Sequence, residues 1–219
     1  MPSLEILLAF TAAALLMNIS PGPSNFYVMA RAIAQGSYAG IVASLGLAVG
    51  TIVHVAATVL GLSALFEHSP LLYTAVKLAG ALYLIYLGLS YWRSKESTAS
   101  GTIKPTDQKP LKAVFYESVV VEVTNPKTAL FFLALLPQFV VPEAGPVSYQ
   151  LLVLGLIVTA SALPCDILVA VSSSKLAGWL AANKKAQLIQ ERVSGSILIG
   201  MGGYILTNEI IDQTQPASP

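Results

Sequence analysis

Apolar residues in this chain gather into about six stretches, each close to the ~20 residues that a helix needs to cross the hydrocarbon of a bilayer. They cover roughly residues 4–29, 39–66, 71–92, 113–140, 149–171 and 193–211. A segment in lipid must satisfy its own backbone hydrogen bonds, so an all-α integral membrane protein with six transmembrane helices is expected. Composition agrees: 55% of the 219 residues are apolar and only 11% are charged, where an average soluble domain carries about a quarter charged. So little charge cannot coat a soluble globule, and so much apolar surface excludes a disordered chain. The net charge of +1 implies no general anionic partner, and no nucleic acid is expected as one. Cys165 is the single cysteine, which excludes an intrachain disulfide, a CxxC redox pair and a cysteine-built zinc site. No metal, no cofactor and no catalytic residue is expected.

Between the third and fourth stretches lies 93–112, rich in Ser, Thr, Lys and Pro, which reads as a solvated loop. Residues 213–219 read as a disordered tail. The first stretch does not read as a cleaved signal peptide, because it carries Glu5, lacks a basic start and continues past its prolines. Lysine and arginine in the connections set the orientation. Arg31 falls in the first connection; Arg93, Lys95, Lys104, Lys109 and Lys112 in the third; Lys175, Lys184, Lys185 and Arg192 in the fifth. With Lys77 and Lys127 assigned to spans, the other connections and both ends have none, which predicts three cytoplasmic basic loops and both termini non-cytoplasmic.

The chain also echoes itself. Lys77-x2-Gly80-x7-Gly88 in the third stretch matches Arg192-x2-Gly195-x7-Gly203 in the sixth. The first and fourth stretches are each broken by proline, at Pro21 and Pro23 and at Pro126. The second and fifth each hold one ionisable residue, His54 and Asp166. This predicts two three-helix repeats, 1–92 and 113–212, joined by the loop 93–112. An odd number of spans per repeat inverts the second relative to the first, a plan that recurs in transporters.

Ionisable groups at membrane depth cost about 2.5–3.5 kcal/mol each on insertion scales and therefore need a partner, a water-filled cavity or a function. In Ser20-Pro21-Gly22-Pro23 the prolines remove backbone donors, and Gly22 permits unusual dihedrals. A helix restarting near Ser24 and Asn25 would aim its first amides at a cavity, an arrangement that attracts carboxylates. At the second break Asn125 is suited to cap a half-helix that begins at Pro126 and carries Lys127, with Glu122 three residues before Asn125. Cation, carboxylate and free backbone together suit a zwitterion. Asp166, two residues after Pro164, suits proton binding and release, as do Glu122 and His54. The plainer alternatives are a proline kink sealed by its neighbours, a structural Glu122–Lys127 ion pair, and a histidine that only packs. Gly46 and Gly50 form a small-xxx-small face for close helix packing.

Four segments in order resemble the LysE/RhtB family of small bacterial exporters. They are Asn18-Ile19-Ser20-Pro21-Gly22-Pro23; Gly46-Leu47-Ala48-Val49-Gly50 with His54 after it; Lys77-Leu78-Ala79-Gly80-Ala81 running to Tyr86-Leu87-Gly88; and Asn125-Pro126-Lys127-Thr128-Ala129-Leu130-Phe131-Phe132 ending in Leu136-Pro137-Gln138-Phe139. The resemblance implies a six-helix carrier of the bacterial inner membrane that exports amino acids or similar small metabolites by proton antiport. It places the motif roles on Pro21, Gly22 and Pro23, on Asn125, Pro126 and Lys127, and on Asp166. Where family members often have asparagine three residues before Asn-Pro-Lys, this chain has Glu122, a carboxylate that bears on substrate charge or proton coupling.

The expected function is secondary active export, with Ser20, Pro21, Gly22, Pro23, Asn25, Glu122, Asn125, Pro126 and Lys127 binding substrate and Asp166, Glu122 and His54 handling protons. The expected partners are a small solute, protons and membrane lipid, and the glycine-rich faces allow a homodimer. The rival readings are a cation exporter of the same fold, or a membrane enzyme or scaffold.

Overall fold

The computed structural model describes residues 2–19, 22–93 and 108–182, with interspersed positions between 185 and 207. Helix α1 spans Leu4–Ile19, α2 Pro23–Gln35, α3 Ser37–His68, α4 Pro70–Arg93, α5 Leu111–Val123, α6 Pro126–Leu135 and α7 Val147–Ala182. Two 3-10 turns, Leu136–Phe139 and Pro142–Ala144, link α6 to α7. The described positions between 185 and 207 are all helical, and no described residue lies in a strand. Ser20, Pro21, most of the loop 93–112 and the tail 213–219 lie outside the described residues.

Among the described residues, α3 and the segment Val147–Ser172 of α7 are each long and apolar enough to cross a membrane. The pairs α1–α2 and α5–α6 pass the same test taken together, bent by 52° and 45° at their breaks. Helix α4 contributes a shorter apolar run, Thr74–Tyr86. Both second half-helices open on proline, at Pro23 and Pro126. Proline's missing N–H is no loss at a first helical position, and its fixed φ suits the start of a helix.

The structure corrects three details. Gly22 has φ −160° and ψ 176°, an extended conformation open to any residue, so its glycine serves space rather than backbone freedom. A Cβ there would come 3.0 Å from Lys127 Cδ and 3.4 Å from Lys127 Nζ. Helix α7 does not stop at the end of its apolar stretch; it runs on to Ala182, which carries Lys175 on a helix rather than in a loop. Helix propensity does not depend on apolar side chains, so helical hydrogen bonding runs on past the end of the apolar stretch. Arg31 belongs to α2, not to a connection, and is only 3% exposed.

Glycines set the helix spacing around α3. A Cβ on Gly46 would lie 2.0 Å from Ser118 Oγ, and one on Gly50 would lie 2.5 Å from Glu122 Cβ, so the Gly46–Gly50 face seats α3 directly on α5. Gly88 of α4 packs likewise on the Gly195 carbonyl, and Gly202 on that of Ala81.

Apolar packing is split into two layers. The larger holds Phe10 and Ala14 of α1, Val55 and Leu62 of α3, Leu84 of α4, Phe131 and Leu135 of α6, and Leu151, Leu154 and Val158 of α7. The smaller holds Val28 of α2, Ala43 and Leu47 of α3, Val114 of α5 and Ala170 of α7. Along α3 the switch from one to the other falls at Thr51, and along α7 it falls across Ala162 and Asp166. A polar layer therefore lies between them.

Candidate functional site

The polar layer holds a small cavity of about 30 Å³, lined by Met17, Asn18, Ser24, Asn25, Thr51, Glu122, Asn125, Lys127, Thr128, Val158, Ala162 and Asp166. Its α7 wall is Val158, Ala162 and Asp166, residues four apart and so on one helix face. The other walls come from the two helix breaks and the middle of α3.

Glu122 is the hub. It is 6% exposed. Its Oε2 accepts from the Ser24 hydroxyl and from Asn125 Nδ2, the latter at 3.4 Å. Its Oε1 accepts from Thr128 Oγ1 at 2.8 Å and Thr51 Oγ1 at 3.3 Å. One carboxylate thus ties α2, α3 and α6 to the end of α5. Hydrogen bonds to an ionised acceptor are the strong ones, and a buried carboxylate needs several of them.

Asn125 caps α6. Its Oδ1 accepts from the Lys127 amide at 3.0 Å, while its Nδ2 donates to Ser24 Oγ at 2.8 Å. It therefore fixes the second break to the start of α2. Lys127 reaches the other way: its Nζ donates to the Met17 carbonyl at 2.7 Å, in the last turn of α1, where helical carbonyls lack partners. Gly22, the N-cap of α2, has no side chain with which to cap its first-turn amides, and no other described side chain does so.

Asp166 is as enclosed as Glu122, at 8% exposed, but is held far more loosely. Among the described residues its one hydrogen bond is accepted from Asn25 Nδ2, at 3.4 Å. Asn25 also donates to the Asn18 carbonyl at 3.4 Å, and Asn18 Nδ2 donates to Ser161 Oγ at 3.0 Å. The cavity thus gathers one ammonium, two carboxylates and an uncapped helix start, a set able to hold a carboxylate and an ammonium of the same small solute.

Of the expected site residues with described positions, Asn25, Glu122, Asn125, Lys127 and Asp166 line the cavity; Gly22, Pro23 and Pro126 form its breaks; Ser20 and Pro21 lie outside the described residues. His54 lies on the far side of Glu122. It borders a second cavity of about 210 Å³ between α3 and α6, lined mainly by apolar groups including Leu62, Phe132 and Leu133. Thr51 and Thr128 were missed by sequence reasoning, as was a charged knot nearer the end of α2. There Arg31 Nη2 meets Glu117 Oε2 at 3.3 Å, and Lys109 Nζ meets Glu117 Oε1 at 2.6 Å. Tyr27 donates to Glu117 at 3.0 Å, and Gln35 donates to the Lys109 carbonyl at 2.7 Å. The i, i+4 spacing of Tyr27, Arg31 and Gln35 was the available signal.

The family description "LysE type translocator" matches residues 15–209. A homoserine/homoserine lactone efflux protein of Salmonella typhimurium is 31% identical over 202 residues, covering 90% of this chain and 94% of that one. An uncharacterized membrane protein of Bacillus subtilis is 30% identical, with 90% and 96% covered. A leucine efflux protein of Salmonella choleraesuis is 26% identical, with 90% and 93% covered. No solved structure gives a significant match.

Proposed function

The chain belongs to the LysE type translocator family, and on that premise we propose that it exports a small amino acid or a close derivative across the bacterial inner membrane in exchange for protons. It is a transporter rather than an enzyme, built as a multi-pass membrane protein. The carrying observation is the cavity itself: two broken helices meet in a polar layer between two apolar ones, with Lys127, Glu122 and Asp166 around it. Relatives whose names specify homoserine, homoserine lactone and leucine efflux support an amino-acid-like cargo.

The substrate carboxylate is assigned to Lys127 and the uncapped first turn of α2. The substrate ammonium is assigned to Asp166, which among the described residues accepts fewer hydrogen bonds than Glu122, the other cavity carboxylate. With Lys127 charged, two ionised carboxylates leave one surplus negative charge in a buried layer, which is costly. Either a proton or the cargo's ammonium removes it. Competition between the two for Asp166 gives antiport. As it stands, the cavity has room for only about one or two waters, so it must widen to load a solute.

The architecture behind this reading is six spans in two inverted repeats, 1–92 and 113–212, with both termini non-cytoplasmic. The matched breaks support it, as do the Gly88–Gly195 and Ala81–Gly202 contacts between α4 and the last helical stretch. Purified protein in vesicles with an imposed pH gradient tests the function. Flux of homoserine or leucine that depends on the gradient supports it. No gradient-dependent flux of any amino acid would reject it.

A further inference from the structure

We infer that His54 is a positioning residue of the transport site, which braces the second helix break from behind and so fixes Glu122 and Asn125. This rests on the export reading above. A break leaves the last carbonyls of a helix without their usual partners. At the end of α5, Val120 O receives the Thr124 amide at 3.0 Å. Glu122 O receives the Asn125 amide at 3.0 Å and, from outside the helix pair, His54 Nε2 at 2.9 Å. A carbonyl only accepts, so Nε2 carries the proton.

The same turn of α3 grips Glu122 three times. Gly50 leaves room for its Cβ, Thr51 donates to its Oε1, and His54 donates to its backbone oxygen. Beyond the break, the His54 ring lies 5.8 Å from that of Phe132 on α6. His54 therefore touches both half-helices, one by a hydrogen bond and the other by a ring contact. It does not line the polar cavity. The first break has a counterpart, because Lys127 of the second half holds the Met17 carbonyl at the end of α1. Each broken helix is thus tied at its carbonyl end by a basic side chain from the other half of the chain. His54 acts through the geometry of the break and not by carrying the coupling proton.

Two substitutions test this. His54→Phe keeps a ring against Phe132 and removes the donor; His54→Gln supplies an amide donor of similar reach and cannot titrate. In reconstituted vesicles, His54→Phe is expected to lower the maximal gradient-driven flux by about fivefold, the scale of one lost hydrogen bond. His54→Gln is expected to restore most of the flux and keep its dependence on the gradient. Amide hydrogen exchange of Thr124 and Asn125 should speed up in His54→Phe and stay near wild type in His54→Gln. Wild-type flux in His54→Phe, uncoupled or equally weak flux in His54→Gln, or unchanged exchange in His54→Phe would overturn the assignment. If the wild type shows no gradient-driven flux, the export reading fails, and the exchange measurement still decides the role of His54.

Discussion

Among the described residues Glu122 accepts from Ser24, Thr51, Asn125 and Thr128, whereas Asp166 accepts from Asn25 alone, at 3.4 Å. The two buried acids should therefore fail differently. Glu122→Ala takes the acceptor from the Ser24 and Thr128 hydroxyls and is expected to destabilise the fold by about 3 kcal/mol, seen as a lower Tm in detergent. Asp166→Asn keeps a side chain of the same shape and should unfold near the wild-type temperature, yet lose gradient-driven flux. Full coupled flux in that variant would reject its role. Charged and amide groups at these positions were legible because each stands out in an apolar stretch. Thr51 and Thr128 were not, since a hydroxyl inside a helix can bond its own backbone, as Thr51 Oγ1 does to the Leu47 carbonyl at 3.1 Å. Only the fold brings such hydroxyls to a distant carboxylate.

At the scale of elements, α3 depends on close approach. Gly50→Ala would put a methyl 2.5 Å from Glu122 Cβ and 3.0 Å from the Val119 carbonyl. It should cost on the order of 1–3 kcal/mol by forcing α3 off α5. Gly61→Ala meets nothing within 4 Å and should raise the Tm by about 2–4 °C through helix propensity alone, a control of opposite sign. The α2–α5 seam is the second dependence. Arg31, Tyr27 and Lys109 converge on Glu117, so Arg31→Ala and Glu117→Ala should not add. A double-mutant cycle on thermal unfolding should show coupling of about 1–3 kcal/mol; strict additivity would mean that the pair contributes nothing. The helix breaks were legible from proline and asparagine, whose effect on the backbone is local. The run of α7 to Ala182 and the burial of Arg31 were not. Hydropathy reports where lipid ends rather than where a helix ends, and an arginine near a span's end looks solvated until a partner from another helix is placed beside it.

For the whole molecule, the polar layer divides the protein unequally. On one side lies the large apolar cluster built from α1, α3, α4, α6 and α7; on the other lie the small cluster and the polar seam between α2 and α5. The thin side is also the end that bears Arg31, Lys109 and Lys112, and it is the side expected to face the cytoplasm. Cysteines placed in the loop 93–112 of a Cys165→Ser background should react with a membrane-impermeant reagent only after cells are opened, and cysteines at either terminus should react in intact cells. Labelling in the reverse pattern would invert the topology. The number of apolar stretches and their interruptions were readable in order along the chain. The layering was not, because it arises only when residues far apart in sequence, such as Ser24 and Glu122, reach the same depth.

The central claim is that one cavity holds either a proton or the ammonium of its cargo, with Asp166 as the shared partner. Proton release on substrate binding tests it without any membrane. Purified protein in weakly buffered solution with a pH indicator should release a proton for each homoserine or leucine bound, and Asp166→Asn should bind without release. Wild-type binding that leaves the pH unchanged, or equal release from Asp166→Asn, would contradict it.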